Sequence, residues 1–135
     1  MSVTLSFLLF IMGVSICTIN VNGIAELPKC EKVFRYLLDN HFDIYLLQET
    51  HLPDVIQGKL WETQWGGHAL WSPGTKRSAG VGLLLHPGSA IEIVSHNSDT
   101  DGRVISAKLK LNEQTFRVIK GNLGCWRELT LSCSK

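Results

Sequence analysis

The 135-residue chain has few cysteines, few prolines, little net charge and no long apolar run. Each shortage excludes something. Its four cysteines, Cys17, Cys30, Cys125 and Cys133, make no C-x-x-C pair and no other zinc-ligand spacing. A disulfide framework normally needs denser cysteines in a shorter chain. Cys17 and Cys30 fall in apolar patterns, where a free thiol behaves as a small hydrophobe, and a reduced, intracellular protein (nucleus or cytoplasm) is the expectation. Thirteen basic and twelve acidic residues leave a formal charge of +1, which neither demands nor excludes a polyanionic partner. Arg103, Lys108, Lys110, Arg117 and Lys120 face one acid, Glu113, across residues 103–120. That basic stretch is read as the solvated face of a hairpin. Leu5 to Met12 is apolar except for Ser6, too short and interrupted for a membrane span. Residues 1–25 carry no charged side chain, so the start has the apolar part of a signal peptide but lacks its basic lead. Residues 1–14 are read as an apolar extension, with a secreted product, directed by residues 1–15, as the alternative.

What is present is a globular composition, 44% hydrophobic and 19% charged, in a length that suits one domain with a core of its own. The organising stretch is Asp43-Ile44-Tyr45-Leu46-Leu47-Gln48-Glu49-Thr50-His51. Four apolar residues running straight into a polar exit suit a strand buried on both faces. A carboxylate at its carboxyl end lies at the rim of the sheet, where open α/β folds place ligands. Glu49 is therefore the first candidate functional residue, against the plainer reading of a solvated residue at a strand exit.

Ser15 to Gly23 reads as a second strand with its exit. Asn20 and Asn22 are two apart, so an extended chain points both to one face, although Asn22-Gly23 is also ordinary turn chemistry. Pro28 suits the first turn of a helix. Cys30, Val33, Phe34, Leu37 and Leu38 then recur at helical spacing, with charged residues opposite. Strand, helix and buried strand form a βαβ unit with parallel strands, which brings Asn20, Asn22 and Glu49 to one rim. Beyond it, Pro53 to Leu60 reads as a short helix, and Trp61, Trp65 and Trp71 around Gly66-Gly67 as a packed turn. Pro73 to Ser78 is a loop carrying Lys76 and Arg77. Strands follow at Gly80–Leu85 and Ala90–Ser95, then a polar turn from His96 to Gly102. Ile105, Ala107, Leu109 and Leu111 alternate with polar residues, as in a strand with one wet face. Asn112-Glu113 turns it into a hairpin with Thr115 to Ile119. Residues 121–135 have no clear period and read as an irregular tail. The fold class expected is α/β (α+β), a mixed β-sheet with a helical layer.

Three motifs carry a resemblance: Thr18-Ile19-Asn20-Val21-Asn22-Gly23-Ile24, Leu46-Leu47-Gln48-Glu49-Thr50-His51, and Ala79-Gly80-Val81-Gly82-Leu83-Leu84-Leu85. A fourth, Asp101-Gly102-Arg103-Val104-Ile105, follows in the expected order. Residues 15–120 resemble the endonuclease/exonuclease/phosphatase superfamily, and most closely the apurinic-type endonuclease domain of non-LTR retrotransposons. The resemblance implies the amino-terminal half of a four-layer α/β-β/α sandwich. It also implies a Mg²⁺-dependent phosphodiesterase acting on DNA, with Mn²⁺ as a substitute ion. By position Glu49 would ligate the metal, Asn22 would sit close to it, and Asn20 would contact the scissile phosphate or orient water. His51 and Arg103 would lie at the same mouth as phosphate contacts. Such an ion takes few oxygen ligands and keeps its waters, and stabilises charge during in-line displacement.

The chain departs from the family where Val118-Ile119-Lys120-Gly121-Asn122 replaces an aromatic Tyr-Ala-Pro-type motif. The later Asp-x-Asn and Asp-His motifs have no counterpart. The expectation is an amino-terminal half followed by an unrelated tail at 121–135, inactive alone and binding metal weakly through a single carboxylate. One sheet face should then be left uncovered, favouring self-association or a complementing chain. The alternatives are a non-catalytic protein binding nucleic acid or a partner, and the small secreted product.

Overall fold

The computed structural model describes residues 4–11, 13–75, 78–99, 103–121 and 129–134, with 4–11 and 129–134 described by their backbone alone. Among the described residues the fold is α+β, with two sheets and two helices. In chain order its elements are β1 (Thr4–Ile11), β2 (Val14–Asn20), α1 (Leu27–Asn40), β3 (Ile44–Gln48), α2 (Val55–Trp65) and β4 (Ala69–Ser72). They continue with β5 (Val81–Leu85), β6 (Glu92–Ser98), β7 (Val104–Leu111), β8 (Gln114–Gly121) and β9 (Leu129–Ser134).

The βαβ unit forms as the sequence implies. Pro28 lies in the first turn of α1, and Cys30, Val33, Phe34 and Leu37 are its buried stripe. β2 and β3 are parallel, with Asn20 opposite Gln48 at their carboxyl ends. At the other end Asp43 fixes the register, because its Oδ2 accepts from both the Ser15 N–H at 2.9 Å and the Ser15 hydroxyl at 3.0 Å. The first sheet runs β1-β2-β3-β5-β4 and the second β6-β7-β8-β9.

Alternation along the strands divides the core in two. Cys17, Ile19, Val21, Tyr45, Leu47 and Leu84 pack against Val33, Phe34, Leu37, Trp61 and Trp65 of the helices. The opposite parity, Ile16, Ile44, Leu46, Leu83 and Leu85, packs against Ala107, Leu109, Phe116 and Val118 of the second sheet. The layers are therefore helices, first sheet, second sheet. On the helical side, burial pushes the Cys17 thiol up to about 11 and the Cys30 thiol, with a smaller push from Glu31, to about 12. Both are free and buried, as small hydrophobes should be. Trp71 fills the space between two glycines: a Cβ on Gly58 of α2 or on Gly82 of β5 would approach its ring to 2.7 and 2.6 Å.

Several expectations are corrected. The inner sheet face expected to be uncovered is covered, because the chain leaves the first sheet at Pro87-Gly88 and builds a second one on top. The apolar stretch read as an extension contains an edge strand, β1, antiparallel to β2. α2 runs past Leu60 to Trp65, so Trp61 and Trp65 belong to a helix and not to a turn. Their indole N–H groups explain why, donating to the carbonyls of Ile24 at 2.6 Å and Leu85 at 2.7 Å. β4 was not foreseen, being four residues long. β6 extends to Ser98, taking in residues read as a polar turn. Leu129–Ser134, within the stretch read as irregular, pairs antiparallel with β8. The expectations for Lys76, Arg77, Asp101, Gly102 and Asn122 lie outside the described residues.

If the second sheet covers the first, position on the strand decides the cost of a substitution. Leu46→Ala and Leu109→Ala, at the buried interface, should each cost about 2–5 kcal/mol in urea unfolding. Lys108→Ala, next to Leu109 on the wetter face, should stay within about 0.5 kcal/mol. Similar small losses at all three would rule out that packing.

Candidate functional site

Four positions line up across the end of the first sheet. Asn20 pairs with Gln48, Gln48 with Val81, and Val81 with Ser72. Cross-strand partners share a face, and two side chains of this row reach the second sheet. Lys120 Nζ donates to Gln48 Oε1 at 2.8 Å. The Ser72 hydroxyl donates to the Asp99 carbonyl at 2.6 Å and lies 3.3 Å from Asp99 Oδ1. The greasy layer between the sheets therefore ends in a polar mouth.

Above this row the backbone is strained. Asn22, Glu49, His51 and Ala79 all have φ near +50 to +60°, at 49, 57, 58 and 61°. Left-handed backbone at non-glycine residues costs about 1–3 kcal/mol each and gathers at functional sites. Here three loops clamp one another. Gly23 N–H donates to the Glu49 carbonyl at 2.7 Å and Ile24 N–H to that of Thr50 at 2.8 Å. On the other side, Thr50 N–H donates to the Gly80 carbonyl at 3.1 Å and His51 N–H to that of Ala79 at 3.0 Å. Gly80 has no substitute here: at φ +95°, a Cβ would fall 2.3 Å from Thr50 Oγ1.

The clamp sets the Glu49 carboxylate, about a quarter exposed at 28%. His51 Nε2–H donates to its Oε2 at 2.8 Å, and Ala79 N–H to the same oxygen at 3.2 Å. Asn20 turns its Oδ1 back to accept the Asn22 N–H at 2.9 Å, so the turn chemistry and the place at the rim coexist. Asn22 is exposed, and its carbonyl accepts from Lys29 Nζ at 2.5 Å; burial holds the Lys29 ammonium below its usual range. Arg103 stands on the second sheet side, its N–H donating to Asp99 Oδ1 at 3.2 Å and its Nε 3.6 Å from Asp99 Oδ2. Asn20, Asn22, Glu49 and His51 are thus brought together through direct backbone and side-chain contacts. Arg103 stands apart from them: through Asp99 it lies by Ser72 of β4, with β5 and β3 between it and Asn20.

Three participants were missed in the sequence. Ser72 sits on the unforeseen strand β4. Asp99 was read as part of a loose turn. Lys120 was grouped with a solvated basic face, yet it is fully buried. Its signal was available: Phe116, Val118 and Lys120 share the inward parity of β8, and the first two are plainly core.

The donor set does not make a ready divalent-metal cage. Glu49 is its one carboxylate on the first sheet, with Oε2 already engaged twice, and Asn20 Oδ1 is held by backbone. Among the described residues no group of three His, Cys, Asp or Glu side chains comes together. A Mg²⁺ ion is held by one or two carboxylates with waters and substrate oxygens completing its octahedron, and Glu49 is the carboxylate this rim would supply. What they offer is a rim of N–H donors and cations around one carboxylate.

Comparison with known proteins gives a relative of the expected kind. The chain is 26% identical over 108 residues to a Xenopus laevis protein described as the transposon TX1 uncharacterized 149 kDa protein. The match covers 80% of this chain, which spans only 8% of the length of that relative. Among solved structures, the AP endonuclease LMAP from Leishmania major matches with a TM-score of 0.49 and 19% identity, over 67% of this chain and 34% of that one. No family model matches the chain.

If Gly80 is required by the clamp, Gly80→Ala should cost about 2 kcal/mol or more in thermal or urea unfolding. Gly66→Ala is the control, since Gly66 also has positive φ but open space around it, and should cost about 1 kcal/mol. Equal losses would mean that the contact with Thr50 is soft.

Proposed function

We propose that the chain is a phosphodiester-recognising module of the nuclease type, which grips a DNA phosphate at the polar mouth and does not turn it over by itself. One observation carries this reading. Asn20, Gln48 and Glu49 of the first sheet share one end of the sandwich with Lys120, which contacts Gln48, and with Arg103, which contacts Asp99 beside Ser72. The relative described as a transposon protein supports taking DNA as the polyanion. Arg103 is the exposed cation at the entrance, suited to a phosphate oxygen. Asn20 supplies an amide on β2, across β3 and β5 from Ser72 and Asp99, and His51 holds the Glu49 carboxylate in place.

Turnover asks for more than this mouth offers. Hydrolysis needs a group to activate water and an acid or ion to stabilise the leaving oxygen. Glu49 is tied to His51 and Ala79, and Mg²⁺ would find a single carboxylate there. We accordingly assign binding to the chain and leave catalysis to a larger assembly of the kind its far longer relative could form.

The test pairs binding with cleavage. Fluorescence anisotropy with a short labelled duplex should show salt-sensitive binding. Arg103→Ala should weaken it roughly tenfold, as loss of a charge-assisted contact does. Supercoiled plasmid with Mg²⁺ or Mn²⁺ should remain un-nicked. Nicking that EDTA and Glu49→Ala both abolish would overturn the assignment of binding without turnover. Absence of duplex binding by the folded chain would overturn the reading as a whole.

A further inference from the structure

Lys120 is an unusual thing to find between two sheets. Its side chain is fully buried, on the same face of β8 as Phe116 and Val118. Burying an ammonium costs several kcal/mol unless its hydrogen bonds are met. Gln48 Oε1, 2.8 Å from Nζ, is one of the groups that meets them.

That contact has a chemical consequence for Gln48. An ammonium carries donors only, so it donates to the amide oxygen and has no bond to make with the amide NH₂. Lys120 thereby fixes which way the amide is turned. The Gln48 NH₂ is the end directed away from Lys120. Asn20, its neighbour across β2 and β3, is fixed in the same sense by a different group, because its Oδ1 is drawn back to the Asn22 N–H. Two adjacent amides thus have their oxygens occupied and their NH₂ groups turned away from those partners, with Asn20 half-buried and Gln48 nearly enclosed at 2% exposure. Parallel strands lie about 4.8 Å apart, so both can serve neighbouring oxygens of one phosphoryl group. The buried charge of Lys120 lies behind them. An edge built this way offers donors and a buried positive charge to an oxyanion, beside a Glu49 carboxylate that His51 and Ala79 engage.

We infer that Gln48, turned by Lys120, is an oxyanion-binding residue that acts beside Asn20 and takes a phosphoryl oxygen without a divalent ion. Lys120 is the positioning residue. This rests on the reading of the mouth as a phosphate site, and it adds a residue, an orientation and independence from metal.

The experiment uses the whole chain, labelled with ¹⁵N, in EDTA, titrated with inorganic phosphate at constant ionic strength against chloride. The side-chain NH₂ signals of Gln48 and Asn20 should move together and saturate. Gln48→Glu keeps an acceptor for Lys120 but has no donors, so it should hold the fold and lose phosphate affinity by roughly tenfold or more, the effect of losing a hydrogen bond to a charged group. Lys120→Met releases the amide and should weaken binding several-fold, whereas Lys120→Arg, still donor-only, should restore it. Saturable phosphate binding that leaves the Gln48 NH₂ signals still would overturn this inference and leave the phosphate site standing. No saturable binding by the folded wild-type chain would overturn both. The wild-type titration decides the matter even if a variant does not fold.

Discussion

The arrangement depends on where a charged side chain is forced to go. Strand β8 alternates, and its inward parity carries Phe116, Val118 and then Lys120. The two apolar residues commit that face to the first sheet. Lys120 follows at the end of the strand, where hydrophobic packing gives out. Its ammonium is then buried and must be satisfied, and the residue it meets is the last one of β3. The contact between Lys120 and Gln48 is in this way a product of sheet packing and a limit on it. A one-residue slip of β8 against its partners in the second sheet would point Lys120 outward and Ile119 inward.

At this end the chemistry changes from apolar to polar along β3 and β4. Thr18, Leu46, Leu83 and Leu70 occupy the row below, on the face toward the second sheet. Asn20, Gln48, Val81 and Ser72 form the terminal row. Beyond it the loops carry four left-handed non-glycine residues, a cost that the mutual backbone hydrogen bonds offset. A rim of this kind is poor material for a core and good material for holding a small anion in a fixed geometry. The ordered loops set Glu49, and the buried row sets the amides beneath it.

Much of the fold was legible. Ile44 to Leu47 is an unbroken apolar run, Cys30 to Leu38 keeps a helical period, and the order of these segments fixes a βαβ unit with its rim. Residues 104–119 alternate cleanly and form the expected hairpin. What failed did so for physical reasons. β4 has four residues, too few for a period to show. α2 has apolar residues on every side, with Val55, Ile56 and Leu60 exposed and Trp61 and Trp65 buried, so periodicity could not mark its end. The division into two sheets was carried by the resemblance and not by the pattern, because it is a matter of which strands pair and alternation alone is silent on pairing. At the site, Asn20, Asn22, Glu49 and His51 were legible because one short motif at each parallel strand end carries them. Ser72, Asp99 and Lys120 were not, since each acts across the gap between sheets. Lys120 was misjudged by its charge, when its parity said core.

The most direct test of this account is a double-mutant cycle between Gln48 and Lys120, read by urea unfolding of the wild type, Gln48→Leu, Lys120→Met and the double variant. If the two side chains meet between the sheets, the losses should be non-additive, with a coupling of about 1.5–3 kcal/mol expected of a buried hydrogen bond to a charged group. Losses that add to within about 0.5 kcal/mol would mean that the residues do not touch. The second sheet would then not close the mouth as described.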